Sequence, residues 1–375
     1  MDDGVKPSGW RRERRRYLTE QIITYLGNKR ALLSFIGKGI ARARRSLHKD
    51  KLTMFDVFSG SGVVSRYLKR HASTLWVNDL EPYSRIINEC YLTNRSAIDE
   101  AELQMTLELL NRRIEANLRR GFISELYAPL DDQDIQPHER VFYTTRNAQF
   151  IDTARQEIAQ LPPSLQPFFL GPLLYGASVH NNTSGVFKGF YKNREGVGQF
   201  GGTGRNSLPR ILGNIELKLP LFSNFECDVH VLQEDALSAA EKVGEVDIAY
   251  LDPPYNQHPY GSNYFMLNLI LDYQRPTDIS DVSGIPADWR RSAYNKRHLA
   301  QATLFELVER LQARYVMISY NSEGFIQYDD FIRHLSKLGR LRCLATDYNT
   351  FRGCRNLAAR NLHVKEYLFM LKKST

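Results

Sequence analysis

Asp252-Pro253-Pro254-Tyr255 closes an apolar run from Val246 to Leu251 and sets three kinds of chemistry within four residues. Asp252 brings a carboxylate acceptor, Pro253 a second acceptor in its carbonyl, and Tyr255 an aromatic face. An exocyclic amine on a nucleobase is a poor nucleophile, because its lone pair is delocalised into the ring. Two acceptors aimed at its two N–H groups draw the nitrogen toward a tetrahedral, nucleophilic form while the base stacks on Tyr255. The plain alternative is a strand that leaves through a Pro-Pro turn.

The run before the tetrapeptide is rich in β-branched and aromatic residues and reads as a buried strand. Proline donates no backbone hydrogen bond and restricts the residue before it, so strand pairing ends at Asp252, with Pro254 continuing the rigid exit. In an open α/β sheet, ligands bind at the carboxyl ends of strands. The same edge receives a second feature. Met54–Asp56 leads through Val57, Phe58 and Ser59 into Gly60-Ser61-Gly62 and then a helix from Val63. That is the opening of a nucleotide-binding sheet, without the third glycine of a dinucleotide fingerprint or the lysine of a phosphate loop. Asp56 either orders this loop or meets a ligand amine.

Other pieces follow the same logic. Leu75–Asp79 is a short strand ending in an acid, at the spacing where a carboxylate binds ribose hydroxyls; a helix cap is the competing reading. Val229–Asp235 alternates and again ends in an acid, where Asp235 either accepts from an adenine amine or caps the next helix. Tyr25-Leu26-Gly27-Asn28-Lys29 precedes a helix, so that backbone N–H groups and Lys29 can meet an anion. Tyr315–Tyr320 is a further strand, and the exposed alternation of Val364–Leu371 fits a late antiparallel one.

From Ser96 to Cys227 the sheet pattern is interrupted. Ile98–Leu118 and Asp152–Gln160 read as helices. His180–Arg194 then interleaves amides, cations and aromatics in a glycine-rich loop that continues to Gly204 and Arg205. Asn182, Ser184, Lys188, Lys192 and Arg194 suit contacts to phosphates and base edges, or else the loop is an ordinary flexible one. After the tetrapeptide, His258, Tyr260 and Asn263 lie on a polar, aromatic loop expected to cover the base. Trp289–Arg291 with Lys296 and Arg297 reads as a peripheral nucleic-acid contact. The basic start, through Arg11, Arg12, Arg14 and Arg15, reads as a solvated arm or as a phosphate contact.

The chain has 375 residues, 42% of them apolar, and a formal charge of +8, which favours a polyanionic partner. Its four cysteines (Cys90, Cys227, Cys343 and Cys354) show no metal spacing and read as reduced thiols. No apolar run approaches the length of a membrane span, and no signal-peptide core is evident. A cytoplasmic protein is expected.

Together these motifs resemble the DPPY-type amino-methyltransferases that use S-adenosylmethionine, in particular the Dam-like adenine-N6 DNA methyltransferases. Tyr25–Lys29 precedes Phe58–Gly62, Asn78-Asp79-Leu80 follows, and Asp252–Tyr255 comes only after a long insertion. Ser319–Gly324 is similar to a late motif of the group. The resemblance implies a class I methyltransferase fold: a Rossmann-like, doubly wound mixed α/β sheet. It also implies a basic arm (1–19), a catalytic domain (20–95 and 225–375) and an inserted, mainly helical target-recognition domain (96–224). Lys29 and the Phe58–Gly62 turn, with Phe58, Ser59, Gly60 and Gly62, would hold the cofactor's methionine end, Asp79 with Leu80 its ribose, and Asp235 with Ala236 its adenine, while Tyr25 and Asp56 would also contact the cofactor. Tyr25 stands where Dam-like members often carry tryptophan.

The chemistry implied is direct displacement on the methyl of S-adenosylmethionine by the N6 amine of an adenine flipped out of double-stranded DNA. No metal is called for, and no Pro-Cys nucleophile pair occurs. Transfer to cytosine N4, transfer to RNA and a catalytically silent DNA-binding subunit are the alternatives. The resemblance extends to palindrome-specific restriction–modification methylases, those reading CATG among them, in bacteria or phage. It brings a separately acting cognate endonuclease as an expected partner.

Overall fold

The strands β1 (Leu52–Asp56), β2 (Ala72–Asn78), β3 (Asp228–Leu232), β4 (Val246–Leu251), β5 (Ala313–Asn321), β6 (Gly339–Asn349) and β7 (His363–Lys373) form one sheet. Their order is β3-β2-β1-β4-β5-β7-β6. The fold is that of a computed structural model, which describes residues 13–202, 206–349 and 363–374. Arg11, Arg12, Gly204, Arg205 and Cys354 lie outside the described residues.

β1 through β5 pair in parallel, and β7 runs antiparallel to both β5 and β6. β4 lies between β1 and β5 with every residue buried. A parallel strand covered on both faces has no need of polar alternation, which is why Val246–Leu251 reads as a nearly continuous apolar run. Successive side chains still point to opposite faces. Ile248 and Tyr250 pack with the helices Leu33–Leu47 and Val63–Lys69. Ala249 and Leu251 pack with the helices Ala236–Val243, Arg297–Arg310 and Tyr328–Leu335. This is the doubly wound mixed sheet expected from the motifs.

The late strand differs from expectation in position. β7 is antiparallel, but it is an interior strand rather than an exposed one, with Val364, Leu368, Phe369, Met370 and Leu371 buried. β6, which no sequence motif marked, takes the edge beyond it and covers it.

The helices between residues 96 and 224 build a third core. Glu100–Ala116, Thr145–Ile158 and Pro167–Val179 pack their apolar faces together with Pro82–Leu92 before them and Phe265–Asp272 after the tetrapeptide. Asp99 starts the first helix by accepting from Ala101 and Glu102 N–H, and Thr144 starts the second by accepting from Asn147 N–H. The second helix therefore begins seven residues ahead of the Asp152 start expected from periodicity.

The basic start is anchored where it is described. Tyr17 is buried and donates its hydroxyl to Tyr91 O at 2.7 Å, and the Arg14 guanidinium donates to Asn224 Oδ1 at 3.2 Å. Residues 13–19 are thus part of the packed structure rather than a solvated arm; Arg15 is exposed. Among the described residues, no helix is long and apolar enough to cross a membrane.

Candidate active site

A cleft opens at the carboxyl edge of the sheet, where β1, β2, β3 and β4 end together. The exits are clipped by Asn78. Its amide donates to Val57 O and Glu234 O at 3.2 and 3.1 Å and accepts from Glu234 N–H at 3.0 Å. Tyr25, Lys29, Phe58, Ser59, Gly60, Asp79, Leu80, Asp235, Ala236, Asp252 and Pro254 all reach the cavity wall.

The turn after β1 depends on glycine. Gly60 and Gly62 have φ of +51° and +72°, where side chains are strained. A Cβ on Gly60 would also come within 2.9 Å of the Tyr25 ring. Asp79 holds the turn through one oxygen, accepting from Gly60 N–H at 2.8 Å, and accepts from Glu81 N–H at 3.0 Å through the other. Burial pushes the Asp79 carboxyl up to about 6. Asp235 accepts from Leu237 N–H at 3.0 Å, so it caps its helix while also lining the cavity.

Two residues expected at the cofactor are engaged by protein partners. Asp56 is fully buried below the wall and accepts from Ser65 Oγ at 2.6 Å, which ties β1 to the helix after the turn. Lys29 reaches the wall, but its ammonium lies 3.0 Å from Asp252 Oδ1 and 3.1 Å from Glu366 Oε1. That double pairing ties Lys29 to the first residue of the tetrapeptide, within the cavity wall it shares with the Gly60 turn. Burial alone disfavours the ammonium, yet the two carboxylates hold its pKa well above the ordinary lysine value. Asp252 is pushed up to about 6 by burial, with Lys29 pulling it down and Glu366 adding to the rise.

Tyr255 is set by its neighbours rather than by the cavity. Its ring meets Tyr320 edge-on at 5.9 Å between centroids, Lys29 Nζ lies 5.5 Å from its centroid, and its carbonyl accepts from Phe325 N–H at 3.1 Å. Pro253 is buried. Tyr260, expected at the duplex, belongs to the wall: it stacks on Tyr25 at 5.0 Å and donates its hydroxyl to Leu26 O at 3.2 Å. Tyr264 stacks on the same ring at 5.0 Å and accepts from Leu26 N–H, so the two tyrosines clamp the Tyr25–Lys29 segment onto the loop after the tetrapeptide.

Asn182 is also a correction. It is fully buried, donates to Val141 O and Gln199 O at 2.8 Å each, and accepts from Gly201 N–H at 2.9 Å, so it shapes the loop from within. Asn263 is buried as well, and its carbonyl takes Phe187 N–H at 2.8 Å. That bond docks the 182–194 loop against the tetrapeptide loop. Ser184, Lys188, Lys192, Arg194 and His258 are exposed there.

Several wall residues carried no sequence motif. Glu81 is buried, is pushed up to about 7 by burial, and accepts from Asn268 at 2.7 Å. Arg290, Ser292, Tyr294 and Asn295 line the cavity from the stretch read as a peripheral contact, with Asn295 tied to Asn256 O at 2.8 Å. Glu366 did leave a signal. It falls in step with Val364, Leu368 and Met370, a charge on the inward face of an apolar alternation.

Comparison with known proteins gives the family of the chain. Residues 25–282 match the family model for D12 class N6 adenine-specific DNA methyltransferases. The chain belongs to that family. The type II methyltransferase M.NlaIII of Neisseria lactamica is 28% identical over 362 residues, covering 94% of this chain and all of that protein. M.CviAII of Paramecium bursaria Chlorella virus 1 is 27% identical, covering 93% of this chain and 98% of that one. M.FokI of Planomicrobium okeanokoites is 26% identical over 363 residues but only half covered, 52% of its length. This D12-class chain is therefore a site-specific adenine DNA methyltransferase, and its class implies use of S-adenosylmethionine.

Proposed function

We propose that S-adenosylmethionine binds in the cavity between the Gly60 turn and Asp252, and that the N6 amine of a flipped adenine enters beside Asp252. The observation that carries this reading is the sharing of one cavity wall by the Gly60 turn, Asp79 and Asp252. The acceptor set suits the cofactor: Asp79, Glu81, Asp235 and Asp252 line the wall, complementing a cationic ligand that also carries ribose hydroxyls and an adenine amine.

When bound, the cofactor supplies a methyl group made electrophilic by a sulfonium. The protein's own work is alignment. Tyr25, Phe58 and the Ser59–Gly60 turn wall the methionine end, Asp79 takes the ribose, and Asp235 takes the adenine amine. Asp252 and the Pro253 carbonyl accept from the target amine and orient its lone pair, a preorganised arrangement that needs no rearrangement during reaction. Tyr255 stacks on the extruded base, which offsets the few kcal/mol spent in flipping it.

Arg15, Ser184, Lys188, Lys192, Arg194 and His258 are proposed to hold the duplex, with the helical segment 96–224 reading the site. The recognition sequence is proposed to be a palindrome, with CATG first in line by resemblance. A separately acting restriction endonuclease and a bacterial or phage-infected cytoplasm are the proposed setting, supported by type II relatives from a bacterium and a virus. The test is mapping of modified bases on a plasmid exposed to the enzyme and S-adenosylmethionine. N6-methyladenine confined to one short sequence is expected. Modified cytosine, or absence of labelled methyl from the DNA, would overturn the reading.

A further inference from the structure

Beneath the proposed target amine, three ionic side chains meet. Lys29 and Glu366 are nearly enclosed, with side-chain exposures of 4% and 3%, while Asp252, at 18%, reaches the cavity. A Lys29–Asp252 pair alone would be neutral and complete. The third member is costly: a carboxylate buried among Val364, Leu368 and Met370 loses its hydration, and an apolar residue there would serve stability as well. It therefore calls for a reason other than folding.

We propose that Glu366 is a positioning residue for methyl transfer: it takes a share of the Lys29 ammonium and leaves Asp252 facing the target amine with a net negative charge. The inference rests on the assignment of Asp252 to that amine. The amine lone pair forms the new N–C bond as the S–CH3 bond of the sulfonium breaks, the bonding pair staying on sulfur, which leaves as a neutral thioether. The nitrogen then carries the positive charge and one surplus proton, which passes to the Asp252 carboxylate and on to water. A neutral Lys29–Asp252 pair offers little to that charge. The three groups together carry one excess negative charge, already in place before the reaction begins.

The sign of the effect can be worked out from what faces Asp252. Lys29 approaches from the segment before the helix Leu33–Leu47, Glu366 from β7, Asp56 from β1, Tyr250 from β4 and Tyr260 from the following loop. Both tyrosines are held neutral by burial. Removing the Glu366 charge therefore lets Asp252 ionise at lower pH, and removing the Lys29 charge does the reverse.

The experiment follows the isotope-labelled carboxyl resonance of Asp252 with pH in the full-length protein, assigned by its loss in Asp252→Asn. In Glu366→Gln the midpoint falls below the wild-type value of about 6, and in Lys29→Gln it rises. Glu366→Gln keeps the shape of the side chain and leaves a neutral buried pair, so folding is retained, and Lys29→Gln provides an independent reading. In the transfer assay, Glu366→Gln lowers plateau turnover by roughly 10- to 100-fold, the scale at which partners behind a reacting group act. It also moves the acid limb to lower pH and leaves cofactor affinity unchanged, while Glu366→Asp restores part of the rate. An unmoved Asp252 midpoint, or full turnover in Glu366→Gln, overturns the inference. A wild-type enzyme that modifies no DNA sinks the functional reading instead, and the carboxyl titration still judges the three-residue cluster.

Discussion

Gly60 donates its backbone N–H to Asp79 Oδ2 over 2.8 Å, which latches the turn after β1 to the acid that ends β2. The other oxygen of Asp79 holds Glu81 N–H. One carboxylate thus fixes two strand exits and faces the proposed cofactor. The shape of the turn therefore depends on the side chain proposed to bind the ribose.

Asp79→Ala should accordingly act twice. It strands two backbone donors at the cavity wall, a loss on the order of 1–3 kcal/mol for each if no water replaces the acceptor. It also removes the proposed ribose partner. Thermal denaturation is expected to show a lower melting temperature, and calorimetric titration a weaker affinity for S-adenosylmethionine. Unchanged cofactor affinity in a folded Asp79→Ala protein would remove Asp79 from the ribose assignment.

The ligand-free protein should lose stability as pH rises from about 4 to about 7. Burial raises Asp56 and Glu81 to about 7 and Asp79 and Asp252 to about 6, all above the ordinary carboxyl range. A raised folded-state pKa means that the folded chain binds more protons than the unfolded one between about pH 4 and 7. The associated stabilisation is present at the acidic end of that window and is lost as pH climbs through the folded-state values. Asp56 gives the cleanest handle, because it is fully buried below the cavity wall. In Asp56→Asn the drop in melting temperature between about pH 5 and pH 8 should shrink relative to wild type. Equal drops in the two proteins would argue that Asp56 is already ionised across the range.

Asp252→Ala separates chemistry from binding. The variant leaves Lys29 paired with Glu366, so no buried charge is stranded and the fold should persist. Labelled-methyl transfer is expected to fall by about a hundredfold or more, the scale of losing a preorganised partner to developing charge. Duplex affinity, measured by fluorescence anisotropy, should remain near wild type. Comparable turnover in the variant would exclude Asp252 as the amine acceptor.

What the sequence made legible was local. β4 and the Gly60 turn could be read because a buried strand, a proline stop and a positive-φ turn each write their demands into neighbouring residues. The meeting of Lys29 with Glu366 could not be read so directly, since it joins the segment before β1 to the last strand of the sheet. Asn182 misled for a different reason. Its amide suits a base edge equally well, and only the fold reveals that Val141 O, Gln199 O and Gly201 N–H already consume it. Tyr260 reads in the sequence as part of a loop covering the base, and only the fold reveals its stacking on Tyr25. The stretch 275–298 was read by its cations, whereas its smaller residues, Ser292 and Asn295, are among those that close the cavity.

The loop that Asn182 shapes nevertheless presents its cations outward, and its tether decides where they point. Phe187 N–H bonds Asn263 O, so Lys188 lies beside the tetrapeptide loop, close enough to His258 to help depress the imidazole pKa, after partial burial. A duplex approaching the cavity would meet Lys188 with its phosphates. Removing one cation from a phosphate should flatten the dependence of log affinity on log salt by about 0.9. Lys188→Ala is therefore expected to weaken duplex binding, reduce that slope by about this amount, and leave S-adenosylmethionine affinity untouched. Anisotropy across a salt series, with a cofactor titration alongside, checks both halves. Parallel salt lines for mutant and wild type would mean that Lys188 never touches a phosphate. Weaker cofactor binding would put the 182–194 loop over the cavity rather than on the DNA.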